Sequence, residues 1–137
     1  MLYLALFILI LILVIIVTTF IQRFSLVRVR GVSMSPTFRN NQLLFVDRFK
    51  TPQYRINFGD EVQVGTIIVY RSPSDSFVIK RLTEKVQVSD SEFYYWFEGD
   101  NKDESFDSRN YGFIQNEAII GEVINFRTFL KRTFTFN

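Results

Sequence analysis

Met1 to Gln22 carries no charged residue, and Leu2 to Ile21 is almost wholly Leu, Ile, Val and Phe. As a helix, about 20 such residues span ~30 Å, the thickness of a bilayer's hydrocarbon region. A cleavable signal peptide is the rival reading. It calls for a basic leading segment, a shorter apolar stretch and a small-residue cleavage site. Thr18-Thr19-Phe20-Ile21-Gln22 supplies none of these. Residues 1–22 are therefore read as a permanent transmembrane anchor, and residues 23–137 as one folded domain.

That domain has a modest core to bury, and its sixteen Phe, six Tyr and one Trp supply much apolar area per residue. A net charge of +2, with the basic residues scattered, argues against a nucleic-acid partner. The chain has no Cys and no His. It cannot build a Ser-His-Asp triad, a Cys-His pair or an ordinary zinc site, and no cofactor is expected. An activated serine here must take a lysine or a carboxylate as its base.

Beyond the anchor the pattern is that of short strands. Leu26 to Arg30 alternates apolar and basic, and Gly31 ends it. Ser35-Pro36-Thr37 forces a turn, since proline restricts both itself and the residue before it. Further strands are expected over Gln42–Asp47, Gly65–Tyr70, Phe77–Leu82, Phe93–Glu98 and Ile119–Ile124, with residues 48–60 as a loop containing Pro52 and Gly59-Asp60. Such spacing predicts a mainly β fold, a small, twisted, antiparallel and barrel-like domain behind one transmembrane helix.

Three polar stretches stand out: Gly31 to Thr37, Phe77 to Arg81, and Gly99 to Arg109. Each has a plain reading: Ser33 as a turn residue, Lys80 snorkelling from a sheet edge, the last run as a solvated acidic loop. There is also a joint one. In an extended segment Lys80 shares a face with Val78 and Leu82, and apolar neighbours favour a neutral amine. A loop locked by ion pairs among Asp100, Asp107 and Arg109 can hold the Ser105 hydroxyl against that amine. Nucleophile Ser33, base Lys80 and orienting group Ser105 then complete a triad logic without histidine.

In this order and behind an anchor, the stretches resemble the boxes of type I signal peptidases, the membrane-anchored serine–lysine proteases of bacteria and their organelle descendants. Gly31-Val32-Ser33-Met34-Ser35-Pro36-Thr37 is similar to the nucleophile box with its Ser-Met-x-Pro-Thr pattern, and Leu43 to Asp47 to the strand that follows. Gly65 to Tyr70, with Pro73, looks like the family's Gly-Asp-hydrophobic strand. Phe77 to Arg81 matches the lysine box, and Gly99-Asp100-Asn101 through Ser105, Asp107, Ser108 and Arg109 the last one. The resemblance implies that Ser33 attacks, Lys80 is general base and Ser105 orients it. It also implies that Asp100 pairs with Arg81 and Asp107 with Arg109, and that the backbone N–H of Ser33 donates to the oxyanion. Some relatives carry a serine as second donor where this chain has Gly31.

The implied partners are a lipid bilayer and precursor proteins with signal peptides, bound as an added strand between Val29–Val32 and Phe77–Ile79. Val29, Gly31, Val32, Met34, Phe77, Val78 and Ile79 are the implied substrate-binding residues, with small substrate residues at the first and third positions before the cut. Phe126, Phe129, Phe134 and Phe136 are candidates for lipid contact. The implied place is the extracytoplasmic face of the cytoplasmic membrane. Arg23, Arg28 and Arg30 following an uncharged tail disagree with that orientation. After Lys80-Arg81 the family usually has Gly and then a Leu-Pro-Gly-Asp turn, whereas this chain reads Leu82-Thr83-Glu84-Lys85. A peptidase dedicated to few substrates and a non-catalytic peptide-binding module are the alternatives.

Overall fold

The computed structural model describes residues 1–48, 62–90 and 92–125. The predicted loop from residue 49 on and the four C-terminal phenylalanines lie outside the described residues. Helix α1 (Leu2–Arg23) is exposed along its apolar length, and none of the described residues of the domain covers that length. By length and composition it is able to cross a membrane. Thr18 and Thr19 turn their hydroxyls back to carbonyls one turn earlier, at 2.8–2.9 Å, which satisfies them where no water is present.

Strand β1 (Phe24–Arg28) follows α1 directly. The Phe24 N–H still donates to Phe20 O, the two rings lie 5.3 Å apart, and Arg23 reaches buried Asp47 at 3.5 Å. The remaining strands are β2 (Leu43–Asp47), β3 (Ile67–Arg71), β4 (Phe77–Gln87), β5 (Phe93–Glu98), β6 (Ile114–Gln115) and β7 (Ile119–Ile124). They form one antiparallel sheet in the order β1-β2-β7-β3-β4-β5-β6, curled into a half-barrel. A four-residue helix, α2 (Ser108–Tyr111), sits between β5 and β6.

Aromatic alternation builds the core. Phe93, Tyr95 and Phe97 of β5 point inward, and Tyr70 of β3 stacks on Phe97 at 4.3 Å. Ile68, Leu82, Ile114 and Ile119 close around them. Each fully buried side chain of this size contributes roughly 1.5–3 kcal/mol.

Two strands differ from expectation in ways that matter. β1 leaves the ladder at Arg28, although Val29 still bonds to the turn at residues 41–42: its N–H donates to Gln42 O and its O accepts from Asn41 N–H, both at 2.9 Å. β4 does not stop at Leu82. A register shift between Leu82 and Glu84 lets it continue to Gln87, so a strand runs where the resemblance places a turn. β3 pairs with Phe77–Arg81 of β4 and β5 with Arg81–Gln87. The β5-side edge of β4 from Phe77 to Lys80 thus has no ladder partner among the described residues, and neither has the outer edge of β1.

Gly121 allows β7 to lie close against β2. A Cβ there would meet Asp47 O at 2.7 Å and Val46 Cγ1 at 2.8 Å. Gly121→Ala is expected to cost about 1–3 kcal/mol, seen as a melting midpoint lowered by roughly 5–15 °C.

Candidate active site

Ser33 sits in a turn held from several sides. Gly31 takes φ +85°, which a side chain would strain, and its N–H donates to Asn40 Oδ1 at 3.0 Å. Ser35 N–H closes onto Val32 O at 2.9 Å and Phe38 N–H onto Met34 O at 2.9 Å. Met34, 2% exposed, plugs the turn into the core. The Ser33 carbonyl accepts from Asn101 N–H at 3.0 Å, which ties the turn to the 99–109 loop. Among the described residues the Ser33 N–H has no acceptor and stays free to donate.

Lys80 lies on β4 opposite Ile68, and is 4% exposed. Leu82 beside it on the same face is fully buried. No ion pair of Lys80 is found among the described residues. Burial therefore holds its amine below the ordinary lysine range; the charge of Asp107 pulls it partly back and Arg109 pushes it down again.

The 99–109 loop is organised by Asp107, which is fully buried. Its carboxylate accepts from Gly99 N–H at 2.8 Å, from Ser105 Oγ at 2.6 Å, and from Arg109 Nε and Nη2 at 2.9 Å. It also caps α2, in a reciprocal arrangement with Asn110. Burial alone would push this carboxyl up, but those donors outweigh it and Asp107 ends well below the usual carboxylate range. Gly99 is required by contact: a Cβ there would meet Ser105 Oγ at 2.2 Å and Ser33 O at 2.6 Å. The Ser33 turn, Gly99 and Ser105 are thus packed against one another.

A second network lies alongside. Arg81 grips Asp100 with Nε at 2.8 Å and Nη2 at 2.6 Å, and donates through Nη1 to Gly65 O at 2.8 Å. Thr37 donates its hydroxyl to the same carboxylate, and these bonds, Arg81's first, lower the Asp100 pKa. Thr37, Gly99 and Asn101 carry no role in the sequence reading. Thr37 closes the Ser-Met-x-Pro-Thr pattern, and that was the one signal for it.

Ser33 and Lys80 line one groove of about 480 Å³. Val29, Met34, Phe77, Val78 and Ile79 line it too, whereas Gly31 and Val32 stand outside its lining. Among the described contacts Ser33 Oγ and Lys80 Nζ make no direct hydrogen bond, and the Ser105 hydroxyl proton goes to Asp107 rather than to the lysine. Arg28 and Arg30, which the sequence reading places on a strand and not at the site, also line the groove.

The profile of the signal peptidase, peptidase S26, family matches residues 1–94 and 82–127. The chain belongs to this family. It is 33% identical over 114 residues to mitochondrial inner membrane protease subunit 1 of Homo sapiens, covering 71% of this chain and 65% of that one, with the same values for the Mus musculus protein. The Xenopus tropicalis protein is 34% identical over 110 residues, 68% of this chain and 62% of its own length. The match thus spans less than two thirds of the length of these relatives. The family matches a mainly β body behind one apolar helix, and the segments it spans contain all three polar stretches.

Asp107→Asn leaves Arg109 and the Ser105 and Gly99 donors without a charged acceptor. It should lower stability by about 2–3 kcal/mol at neutral pH. The folded-state pKa of Asp107 is depressed, so its contribution is present above the unfolded value of ~3.9 and lost as pH falls below it. Urea melts should show the gap between the two proteins closing below about pH 4.

Proposed function

We propose that this chain is a membrane-anchored serine endopeptidase that removes N-terminal signal peptides from exported proteins, with Ser33 as nucleophile and Lys80 as general base. The observation that carries the reading is a lysine buried among apolar residues, with no ion pair among the described residues, lining the same groove as a serine held in a hydrogen-bonded turn. An amine that has lost most of its hydration favours the neutral form, the only form able to accept a proton.

A precursor peptide enters as a strand between the open edge of β4 at Phe77–Ile79 and the chain following β1 at Val29. Small residues at its first and third positions before the cut fit the floor formed by Val29, Met34 and Val78. Neutral Lys80 takes the Ser33 hydroxyl proton as Oγ attacks the peptide carbonyl, and the Ser33 N–H donates a hydrogen bond to the developing oxyanion. The lysine then gives its proton to the leaving amine. Water hydrolyses the acyl-enzyme in the second half, again with Lys80 as base.

Ser105 spends its proton on Asp107, so only its lone pairs remain to receive an N–H of Lys80. That contact, and the bond between Ser33 and Lys80, form as the peptide closes the groove, since catalytic hydrogen bonds often tighten only with substrate bound. Asp100, Arg81, Asp107 and Arg109 support this loop without touching substrate.

Helix α1 is the single-pass anchor, with the domain on the side of the membrane where exported precursors arrive. In a bacterium that is the extracytoplasmic face of the cytoplasmic membrane; the matched relatives are named for the mitochondrial inner membrane. A narrower role, a maturation peptidase for few substrates, is favoured by the departure after Lys80-Arg81, where β4 runs on through Leu82-Thr83-Glu84-Lys85. Replacing the endogenous signal peptidase of a depleted bacterial strain separates the two: failure to process bulk precursors while one class is still cut supports the narrow role.

Ser33→Ala and Lys80→Ala should each reduce hydrolysis of an Ala-x-Ala peptide at least ~10³-fold. Ser105→Ala should cost roughly 10²-fold through misplacement of the amine. Because burial lowers the Lys80 pKa, kcat/KM should fall as pH drops through that lowered value and be flat above it. A rate still climbing at pH 10 removes the assignment of Lys80 as base.

A further inference from the structure

Arg28 and Arg30 contradict the charge rule for an anchor whose domain is exported, and the mechanism above makes no use of them. Both are exposed and line the groove beside Ser33. Among the described residues neither has a carboxylate partner. Asp75, the other charge in the lining, is engaged by Arg71 at 2.8 Å. The groove therefore carries two uncompensated positive charges on one wall.

Burial alternates along that wall. Val29 is 4% exposed while Arg28 and Arg30 face outward. Across the groove Lys80 and Val78 point inward, and Phe77, 65% exposed, points out. Successive residues of a peptide lying between these edges alternate in the same way. If its first and third residues before the cut go to the floor, its second and fourth share the outer face with the two arginines. Side chains on one face of neighbouring strands interact directly, favourably when oppositely charged and unfavourably when alike.

We propose that Arg28 and Arg30 form a cationic rim that selects precursor peptides carrying a carboxylate at the second or fourth residue before the cut. The proposal rests on the peptide-groove reading above and adds a substrate class to it. A lipid headgroup is the other natural counter-ion for arginines close to an anchor. The groove position favours the peptide, and Arg23, the arginine at the end of α1, is already engaged by Asp47 and stacked on Phe24.

The test uses the full chain in neutral phosphatidylcholine vesicles and three peptides differing only at the second and fourth residues before the cut: both Glu, both Gln or both Lys. Binding to Ser33→Ala protein is followed by fluorescence anisotropy, and cleavage by the unaltered protein as kcat/KM. The expected order is Glu, Gln, Lys in both assays, with Glu over Lys by about five- to tenfold at low salt and the preference fading toward 1 M salt. It should appear in KM and not in kcat. Arg28→Gln/Arg30→Gln should bring the Glu-to-Lys ratio close to one, and Arg28→Glu/Arg30→Glu should reverse it, each read against the Gln peptide in the same protein. Equal affinity for the Glu and Lys peptides at low salt, or no binding of any, overturns the proposal. So does a result in which anionic vesicles raise cleavage of all three peptides alike and the arginine variants abolish that gain, since the rim then serves lipid. Binding in the expected order without cleavage by the unaltered protein would sink the catalytic assignment and leave the rim standing.

Discussion

One buried carboxylate holds the candidate site together. Asp107 gathers a backbone N–H from Gly99, the hydroxyl of Ser105 and the guanidinium of Arg109, and starts α2 at the same time. A charge so deeply placed is tolerable only because every one of these donors is aimed at it. The consequence is a loop that holds Ser105 close to the Ser33 turn, which packs against the bare Cα of Gly99. The same negative charge is felt by Lys80, where it opposes the effect of burial. Asp107 thus fixes where the Ser105 hydroxyl stands and partly offsets the burial that keeps Lys80 from its charged state.

The groove comes from a division of labour along β4. Its first half, Phe77–Arg81, pairs with β3, and its second half, Arg81–Gln87, pairs with β5 on the opposite edge, the register shifting between Leu82 and Glu84. An unsatisfied strand edge facing a cleft invites another strand, and Lys80 sits where the two halves meet. Across the cleft, β1 gives up its ladder at Arg28 and continues into the Ser33 turn. Lys80 and the turn of Ser33 therefore line one groove beside two strands whose edges are only partly paired.

Much of the fold was legible along the chain. The apolar run marks α1 to within a residue, and Phe93 to Glu98 reads as a strand because its alternation is strict. Where the reading slipped, pairing was the reason. β1 was expected to reach Arg30, but β2 ends its register at Arg28. β4 was expected to end at Leu82, but a bulge carries it to Gln87 against an aromatic partner strand. α2 has only four residues and exists because Asp107 and Asn110 cap it, too short a segment for any periodicity to show. At the site, the motif pattern singled out Ser33, Lys80 and Ser105, whereas Thr37, Asn101 and the two rim arginines emerged from contacts or shared lining between distant segments.

By itself the order of amino acids determined that this chain has one helix able to cross a bilayer, and that no histidine or cysteine is available for chemistry. Those are properties of composition and run length, and no contact is needed to establish them. Tertiary structure alone decided that Lys80 is dry and that Arg28 and Arg30 face a groove. It also decided that the Ser105 proton belongs to Asp107. Desolvation, an open strand edge and the direction of a hydrogen bond are each sums over residues far apart in the chain, so no single stretch contains them.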